Sequence, residues 1–426
     1  MDKFDVAIVG GGIAGLTAAV YLAKAGRKVA VLEKLGRFGG RADTITKNGV
    51  KLNLGGHALY RGGEACDILQ EFGITLEGGI PSVKTYGLWK NESYLVPTGM
   101  MSMISFPLLS VSGKMEFARF MMKLSKIDVH AVPKVSLREW TEREVRDPMV
   151  RHLFYALTRT ATYVNDPDLL WAQSTIKQLK RALTESVLYV DGGWETIVSK
   201  LRLLAENHGA AMLPGKNAAE IVHENGRVSQ VRCSDGTLLA ADAVIVTASP
   251  AEVFRMVKGA EHTSLRKWKE QALPIKAACL DLGLRRLPNP EHQFAMGIDQ
   301  PLLFTNQSRA AKLSDDGTAV VHLLKYNGVH NGDSKADEAM LEKALDTLHP
   351  GWRKEVAVRQ YLPNITVLQD FEHTGRKESP GPAVPQIGGL YVAGDWAGHG
   401  ELLVDASFAS ARRAALHILQ TVPALH

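Results

Sequence analysis

The chain has few cysteines, and its histidines follow no ligand pattern. Its three cysteines, Cys66, Cys233 and Cys279, are isolated along 426 residues. This argues against a disulfide framework and against a C-x-x-C redox or metal motif. The 14 histidines show no H-x-x-x-H or similar spacing. We therefore expect no metal site.

Long apolar runs and strong charge are also missing. No run of about 18 uninterrupted apolar residues occurs, which argues against a membrane-spanning helix. The formal net charge of +5 is small for this length, and no basic run is interleaved with aromatic residues, so no nucleic-acid partner is expected. No charged-then-apolar leader precedes the first apolar run, and we expect a cytoplasmic protein. The length predicts two domains.

The strongest functional signal is the stretch from Asp5 to Arg41. Residues 6–9 form a short apolar run that is typical of a buried parallel strand. Gly10, Gly12 and Gly15 follow in G-x-G-x-x-G spacing. The first glycine permits a tight turn, the second lets a pyrophosphate approach the backbone, and the third lets a helix pack on the strand.

The elements after these glycines indicate a dinucleotide site. A helix is predicted over 13–24, and the N–H groups of its first turn, at Ile13 and Ala14, can bind an anion. A second strand over 29–32 leads to Glu33, at the position where a carboxylate accepts hydrogen bonds from a ribose diol. This order predicts dinucleotide binding but does not separate NAD from FAD.

The residues after Glu33 separate the two cofactors. Residues 37–41 read R-x-G-G-R, and here the sequence resembles the superfamily of flavin-dependent amine oxidases, phytoene desaturases and protoporphyrinogen oxidases. In that superfamily this segment runs beside the FAD pyrophosphate, so the resemblance places Lys34, Gly40 and Arg41 at the cofactor. A guanidinium is also a strong bidentate partner for phosphate.

The resemblance extends the cofactor site through the middle of the chain. A strand predicted over 51–54 is expected to lead to the flavin ring, followed by Gly55, Gly56 and His57. A small sheet beginning near Ala218 is expected to flank the adenosine through a backbone contact. Relatives usually carry valine at that position.

The C-terminal segment LYVAGDWAGHGELLVDAS is the second strong signal. The resemblance places Gly394 and Asp395 at the pyrophosphate–ribitol region. It places Leu403 and Val404 at the start of a closing helix, with the Val404 N–H on the flavin O2. GDWAGHG has no cysteine where covalently flavinylated oxidases carry one, so we expect non-covalent FAD.

One side chain is a candidate for catalysis. Lys276 begins a predicted strand at a place where amine oxidases keep a lysine that aids flavin reoxidation, although a surface lysine would read the same way. Leu403 stands where monoamine oxidases carry an aromatic-cage tyrosine, which argues against an amine substrate. The Asp405-Ala406-Ser407 run resembles the phytoene-desaturase branch more closely.

The expected fold class is α/β. A Rossmann-type FAD-binding domain, glutathione-reductase-like and of the amine-oxidase type, is interrupted by a mixed α+β substrate domain. We assign residues 1–80, 189–272 and 385–426 to the first domain, and residues 81–188 and 273–384 to the second.

A methionine-rich stretch lies in the predicted substrate domain. Seven of the 12 methionines fall between Met100 and Met149. Within 114–126, Phe117 and Phe120 share one helical face, opposite a polar stripe. This pattern is typical of an amphipathic core helix, but methionine also lines adaptable apolar surfaces. We expect residues 100–127 to line or gate the substrate path, or to touch a membrane peripherally.

These observations predict an FAD-dependent oxidoreductase that removes a hydride from a largely apolar substrate, as a desaturase or dehydrogenase of the phytoene-desaturase type. An amine oxidase that produces imine and hydrogen peroxide is the first alternative. A non-enzymatic escort-type protein of the same fold is the second. Oxygen or a quinone would reoxidise the flavin.

Overall fold

The computed structural model describes residues 3–82 and 84–422, with the backbone alone at residue 100. The strands are β1 (Lys3–Val9), β2 (Val29–Glu33), β3 (Thr44–Lys47), β4 (Val50–Asn53), β5 (Leu59–Tyr60), β6 (Gly78–Gly79), β7 (Tyr86–Trp89), β8 (Glu92–Leu95), β9 (Val187–Val190), β10 (Ala211–Pro214), β11 (Ala218–Glu224), β12 (Arg227–Cys233), β13 (Leu238–Val246), β14 (Ile275–Leu284), β15 (Phe294–Gly297), β16 (Leu302–Asn306), β17 (Ala319–Gly328), β18 (Val356–Leu368) and β19 (Leu390–Val392).

The helices connect and cover these strands. They are α1 (Ile13–Lys24), α2 (Glu64–Glu71), α3 (Met100–Ser105), α4 (Val111–Lys126), α5 (Leu137–Glu144), α6 (Pro148–Thr162), α7 (Ala172–Thr184), α8 (Glu195–Asn207), α9 (Pro250–Met256), α10 (Ser264–Gln271), α11 (Ser334–Leu348) and α12 (Leu403–Thr421).

One sheet carries the predicted nucleotide-binding elements. Its strand order is β10-β2-β1-β13-β12-β11, with β19 also paired to β13. The strands β10, β2, β1, β13 and β19 run parallel, whereas β11 and β12 are antiparallel additions. Val6, Ala7 and Ile8 are fully buried, because α1, α8 and α12 cover one face and the antiparallel strands with α9 and α10 cover the other. This arrangement confirms the predicted α/β class.

A second sheet has the order β18-β14-β17-β16-β15-β7-β8. Its pairs are antiparallel except β15 with β7. The hairpin between β7 and β8 turns at Lys90 and Asn91, whose φ angles are 50° and 63°. The division into two domains stays a prediction.

The aromatic face of α4 belongs to a core. Phe117, Phe120 and Leu124 are buried, and the Phe120 ring packs edge-on against Phe154 at 4.9 Å between centroids. The ring centroid of Trp140 lies 5.9 Å from that of Phe120. Helix α4, which contains residues 114–126, is therefore the ordinary core helix that the periodicity of this stretch also allowed.

Candidate functional site

The loop between β1 and α1 leaves no room for a side chain at Gly10 or Gly15. Gly10 has φ +107°, and a Cβ added at Gly15 would lie 1.9 Å from the Gly10 carbonyl oxygen. A Cβ at Gly12 would meet only the Gly39 oxygen, at 3.7 Å. Gly12 is the N-cap of α1 and brings no capping side chain, so the first-turn N–H groups remain available for an anion. This cradle fits a pyrophosphate.

Glu33 sits at the end of β2 as predicted and is 6% exposed. One carboxylate oxygen accepts a 2.9 Å hydrogen bond from the Gly11 N–H, and the other accepts a 2.9 Å bond from the Leu35 N–H. The carboxylate lines a large cavity beside the glycine loop. Glu33 therefore ties the loop to the strand end, and its contact with a ribose stays a prediction.

We expect Glu33→Ala to weaken FAD binding. The substitution removes a charge-assisted hydrogen bond, worth about 1.5–3 kcal/mol, and frees the Gly11 N–H. The FAD-to-protein ratio after dialysis, read by absorbance, measures the effect. Glu33→Gln is the control, because it keeps an oxygen acceptor without the charge and should lose less FAD. Equal ratios in the wild type and Glu33→Ala would contradict the ribose assignment.

Arg41 and Asp395 form a bidentate ion pair across the cavity. The two Arg41 nitrogens donate to the two Asp395 oxygens at 2.6 and 2.9 Å. Asp395 also accepts a 2.9 Å bond from the Gln369 N–H. Burial by itself would lower the pKa of Arg41, but the Asp395 carboxylate outweighs it and the pKa is raised. The guanidinium therefore stays charged beside the predicted pyrophosphate.

The turn after β4 carries Gly55, Gly56 and His57. His57 Nδ1 lies 2.7 Å from the Gly55 oxygen, and its Nε2 lies 3.0 Å from the Arg41 oxygen. Burial lowers the pKa of His57 to about 4, so the ring is neutral near pH 7. The imidazole packs against Trp194 at 4.6 Å between ring centroids and holds the turn against the Arg41 segment.

The start of α12 is strained and buried. Leu403 has φ 57°, a left-handed conformation that is uncommon outside glycine and clusters at functional sites. Asp405 accepts hydrogen bonds from the Ala65 N–H at 3.0 Å and from Arg181 at 2.7 Å. Burial raises the pKa of Asp405 to about 6 despite Arg181. These contacts fix the start of α12, where Leu403 and Val404 line the large cavity.

These elements enclose a cofactor cavity of about 540 Å³. The predicted residues that line it are Gly10, Gly12, Ile13, Ala14, Glu33, Lys34, Gly40, Arg41, Gly56, His57, Ala218, Gly394, Asp395, Leu403 and Val404. Gly15 lies beneath the loop against Gly10, and a Cβ at Gly55 would meet the Ile365 side chain at 2.8 Å. Those two glycines shape the wall without lining it.

An inner cavity of about 200 Å³ adjoins the cofactor cavity. Gly56, His57, Ala58 and Tyr163 line both. Apolar side chains from α6, α7, β15 and β16 dominate the rest of its lining, among them Leu157, Leu179, Leu183, Phe294, Met296 and Leu303.

Sequence reasoning missed the inner cavity. Among its polar members, Tyr163, Tyr189, Thr305 and His322 carry no motif, because they come from four separate parts of the chain. Among the described side chains between 101 and 127, none lines either cavity, so the expectation that residues 100–127 line the substrate path stays a prediction. The aromatic side chains of this stretch are used in the core instead.

Lys276 is the second residue of β14. Its amine donates a 2.7 Å hydrogen bond to the Thr366 hydroxyl. It is not among the residues that line the two cavities. Val367 and Leu368, next to Thr366 on β18, do line the cofactor cavity. The catalytic role of Lys276 stays a prediction.

Residues 13–274, more than half of the chain, match the sequence profile of the family described as flavin containing amine oxidoreductase. The chain belongs to this family. The family is one of flavin-containing oxidoreductases, and the cofactor of the chain is FAD. The glycine cradle, Glu33 and the Arg41–Asp395 pair fit the two phosphates and the ribose of that cofactor. When bound, FAD supplies two-electron hydride chemistry.

Curated relatives are desaturases at low identity. The chain is 26% identical over 285 residues to hydroxyneurosporene desaturase from Cereibacter sphaeroides, covering 58% of this chain and 57% of the relative. It is 24% identical over 314 residues to phytoene desaturase from Neurospora crassa, covering 64% and 52%. The chain thus spans about half the length of these relatives.

Solved structures support the fold. An oxidoreductase from Methanosarcina mazei superposes with a TM-score of 0.77 at 21% identity, covering 98% of this chain and 100% of that one. At this identity the likeness shows the fold alone. Across residues 3–82 and 84–422, no helix combines the length and the apolar character that crossing a bilayer requires.

Proposed function

We propose that this protein is an FAD-dependent dehydrogenase that takes a hydride from a largely apolar substrate bound in the inner cavity. The observation that carries the proposal is the position of this cavity. Its apolar lining continues directly from the wall formed by Gly56, His57 and Tyr163, which also bounds the cofactor cavity. A substrate carbon at this wall would lie beside the flavin with water excluded.

The size of the cavity restricts the substrate. Its volume of about 200 Å³ lies below the range of about 300–1,000 Å³ that is usual for drug-sized ligands. A small molecule, or one end of a longer one, fits such a space. The desaturase relatives favour dehydrogenation of an isoprenoid or polyene carbon chain.

An amine oxidase is the competing function. An ammonium substrate normally meets a carboxylate or an aromatic cage. The described residues that line the inner cavity include no Asp or Glu. The sequence resemblance places Leu403 where monoamine oxidases carry a cage tyrosine. Both observations favour the apolar substrate.

Anaerobic bleaching of the flavin tests the proposal. The FAD-loaded protein is mixed in turn with phytoene, geraniol and benzylamine, and the visible flavin absorbance is followed by stopped flow. Bleaching by an isoprenoid but not by benzylamine is the expected result. Bleaching by benzylamine alone would replace this proposal with the amine oxidase. Turnover measured with oxygen and with an added quinone then identifies the electron acceptor. Lys276 would assist reoxidation of the flavin.

We further propose that the outer face of α3 and α4 contacts an anionic membrane surface. Met101 and Ile104 are 82% and 65% exposed, and Met115 and Met122 are 52% and 59% exposed. Such a concentration of exposed apolar side chains marks an interaction surface.

The exposed basic side chains of α4 make a bilayer the best occupant. Met115, Arg119, Met122 and Lys126 are spaced i, i+4, i+7 and i+11 and therefore share one stripe of the helix. Apolar side chains can enter the interface while the two cations meet anionic head groups, each cation contributing about 1 kcal/mol. A surface that docks a protein partner would more often lack this regular mixing of methionine and basic residues.

Vesicle sedimentation tests this contact. Replacing Met115 and Met122 with serine should reduce binding of the FAD-loaded protein to phosphatidylserine-containing vesicles. Leu203→Ser is the matched control, because Leu203 is 57% exposed on α8 and lies outside the surface. Binding that is unchanged in the double variant, or absent in the wild type, would contradict the contact.

A further inference from the structure

A buried histidine side chain in the inner cavity has one unpaired nitrogen. His322 on β17 is 2% exposed. Its Nδ1 contacts the Asp281 carboxylate, and the other Asp281 oxygen accepts a 3.0 Å hydrogen bond from Gln360. Nε2 of His322 has no hydrogen-bond partner in the described part of the chain, although the residue belongs to the cavity lining.

This nitrogen lies at the wall that the two cavities share. A Cβ added at Gly56 would be 2.8 Å from Nε2 of His322 and 3.0 Å from the Tyr163 hydroxyl. Gly56 and Tyr163 line both the inner cavity and the cofactor cavity. Nε2 therefore marks the end of the inner cavity that is nearest to the cofactor.

The Asp281 contact decides what Nε2 can do. Because a carboxylate only accepts, a hydrogen lies on Nδ1, and in the tautomer that carries its hydrogen there Nε2 presents a lone pair. A pure hydrocarbon bound here would leave this buried acceptor unpaired, which weakens binding. An ammonium group would find no carboxylate among the described lining residues. A neutral donor is the remaining match.

We propose that the substrate is a largely apolar molecule with one hydroxyl group, which donates its hydrogen bond to Nε2 of His322. The proposal rests on the proposed function and narrows its substrate class to alcohols. On oxidation the carbinol C–H bond breaks and its hydride, with both electrons, reduces FAD. The O–H bond breaks, its proton passes to Nε2, and the C–O bond becomes C=O. His322 is then a catalytic residue, and Asp281 a positioning residue.

Binding selectivity tests the proposal without requiring turnover. Anaerobic titrations of the FAD-loaded protein with geraniol and with its deoxy hydrocarbon, followed through the flavin spectrum, give an affinity ratio. His322→Leu should lower the geraniol-to-hydrocarbon ratio about tenfold, because it removes the acceptor. His322→Gln keeps an acceptor and should retain most of the ratio. Equal ratios in the wild type and His322→Leu would overturn the proposal.

A second measurement, made on the wild type, tests the proposal even if the His322→Leu protein fails to fold. The Nε2 resonance of His322, assigned by its loss in His322→Gln, should shift when geraniol is added and stay in place with the hydrocarbon. A resonance that geraniol does not move would overturn the proposal. Flavin bleaching by phytoene together with an unchanged affinity ratio would overturn the alcohol assignment alone and leave the dehydrogenase intact.

Discussion

Replacing Gly15 with valine should yield a protein that retains no FAD. The added Cβ would lie 1.9 Å from the Gly10 carbonyl oxygen, a backbone atom that cannot rotate away. The first turn of α1 would have to move off β1, and its N–H groups would no longer converge on the phosphates. Visible absorbance of the purified protein and its FAD-to-protein ratio measure the loss.

Gly36 provides the matched control for this change. It lies in the same nucleotide-binding unit, and a Cβ added there would meet nothing within 4 Å. Gly36→Val should therefore keep both the flavin and the thermal midpoint of the wild type. Retention of FAD by Gly15→Val at the wild-type ratio would mean that the loop binds no pyrophosphate.

Replacing Arg376 with methionine should destabilise the protein by about 3–5 kcal/mol, because it leaves the Asp370 carboxylate buried without its cation. The two side chains form an ion pair and are 4% and 0% exposed as residues. Arg376 also donates a 3.1 Å hydrogen bond to the Trp396 oxygen. The substitution should thus loosen the Asp395 turn and weaken FAD as well.

Urea unfolding followed by tryptophan fluorescence measures this loss. Lys377→Met is the control, since Lys377 is the adjacent residue and is exposed. Adding Asp370→Asn to Arg376→Met removes the uncompensated charge and should restore part of the stability. An unfolding midpoint equal to that of the wild type in Arg376→Met would show that the pair is dispensable.

Much of the cofactor site was predictable because its signals are local. The helix predicted over 13–24 is α1 with the same bounds, since the glycine turn and the apolar periodicity both act within a few residues. Glu33 ends one buried strand, Gly394 lies two residues beyond another, and both reach the same edge of the sheet. Parallel strands bring their carboxyl ends together, so order along the chain was sufficient.

The ion pairs at the site were not predictable in this way. Arg41 was expected on phosphate and Asp395 beside it, but nothing local indicates that the two side chains bind each other over 354 residues of separation. The same holds for the ion pair between Asp370 and Arg376. Long-range packing buries Asp370 and Arg376 and makes their ion pair structural.

The sequence by itself determined the family and the cofactor, because local motifs resemble that family. It also predicted the glycine-framed phosphate cradle, because such a turn depends on short-range backbone geometry. The tertiary structure alone decided the inner cavity. The pairing of β14 with β17 aligns Asp281 with His322, and α6 brings Tyr163 to Gly56. These contacts depend on the register of strands and helices from distant segments, which no local pattern specifies.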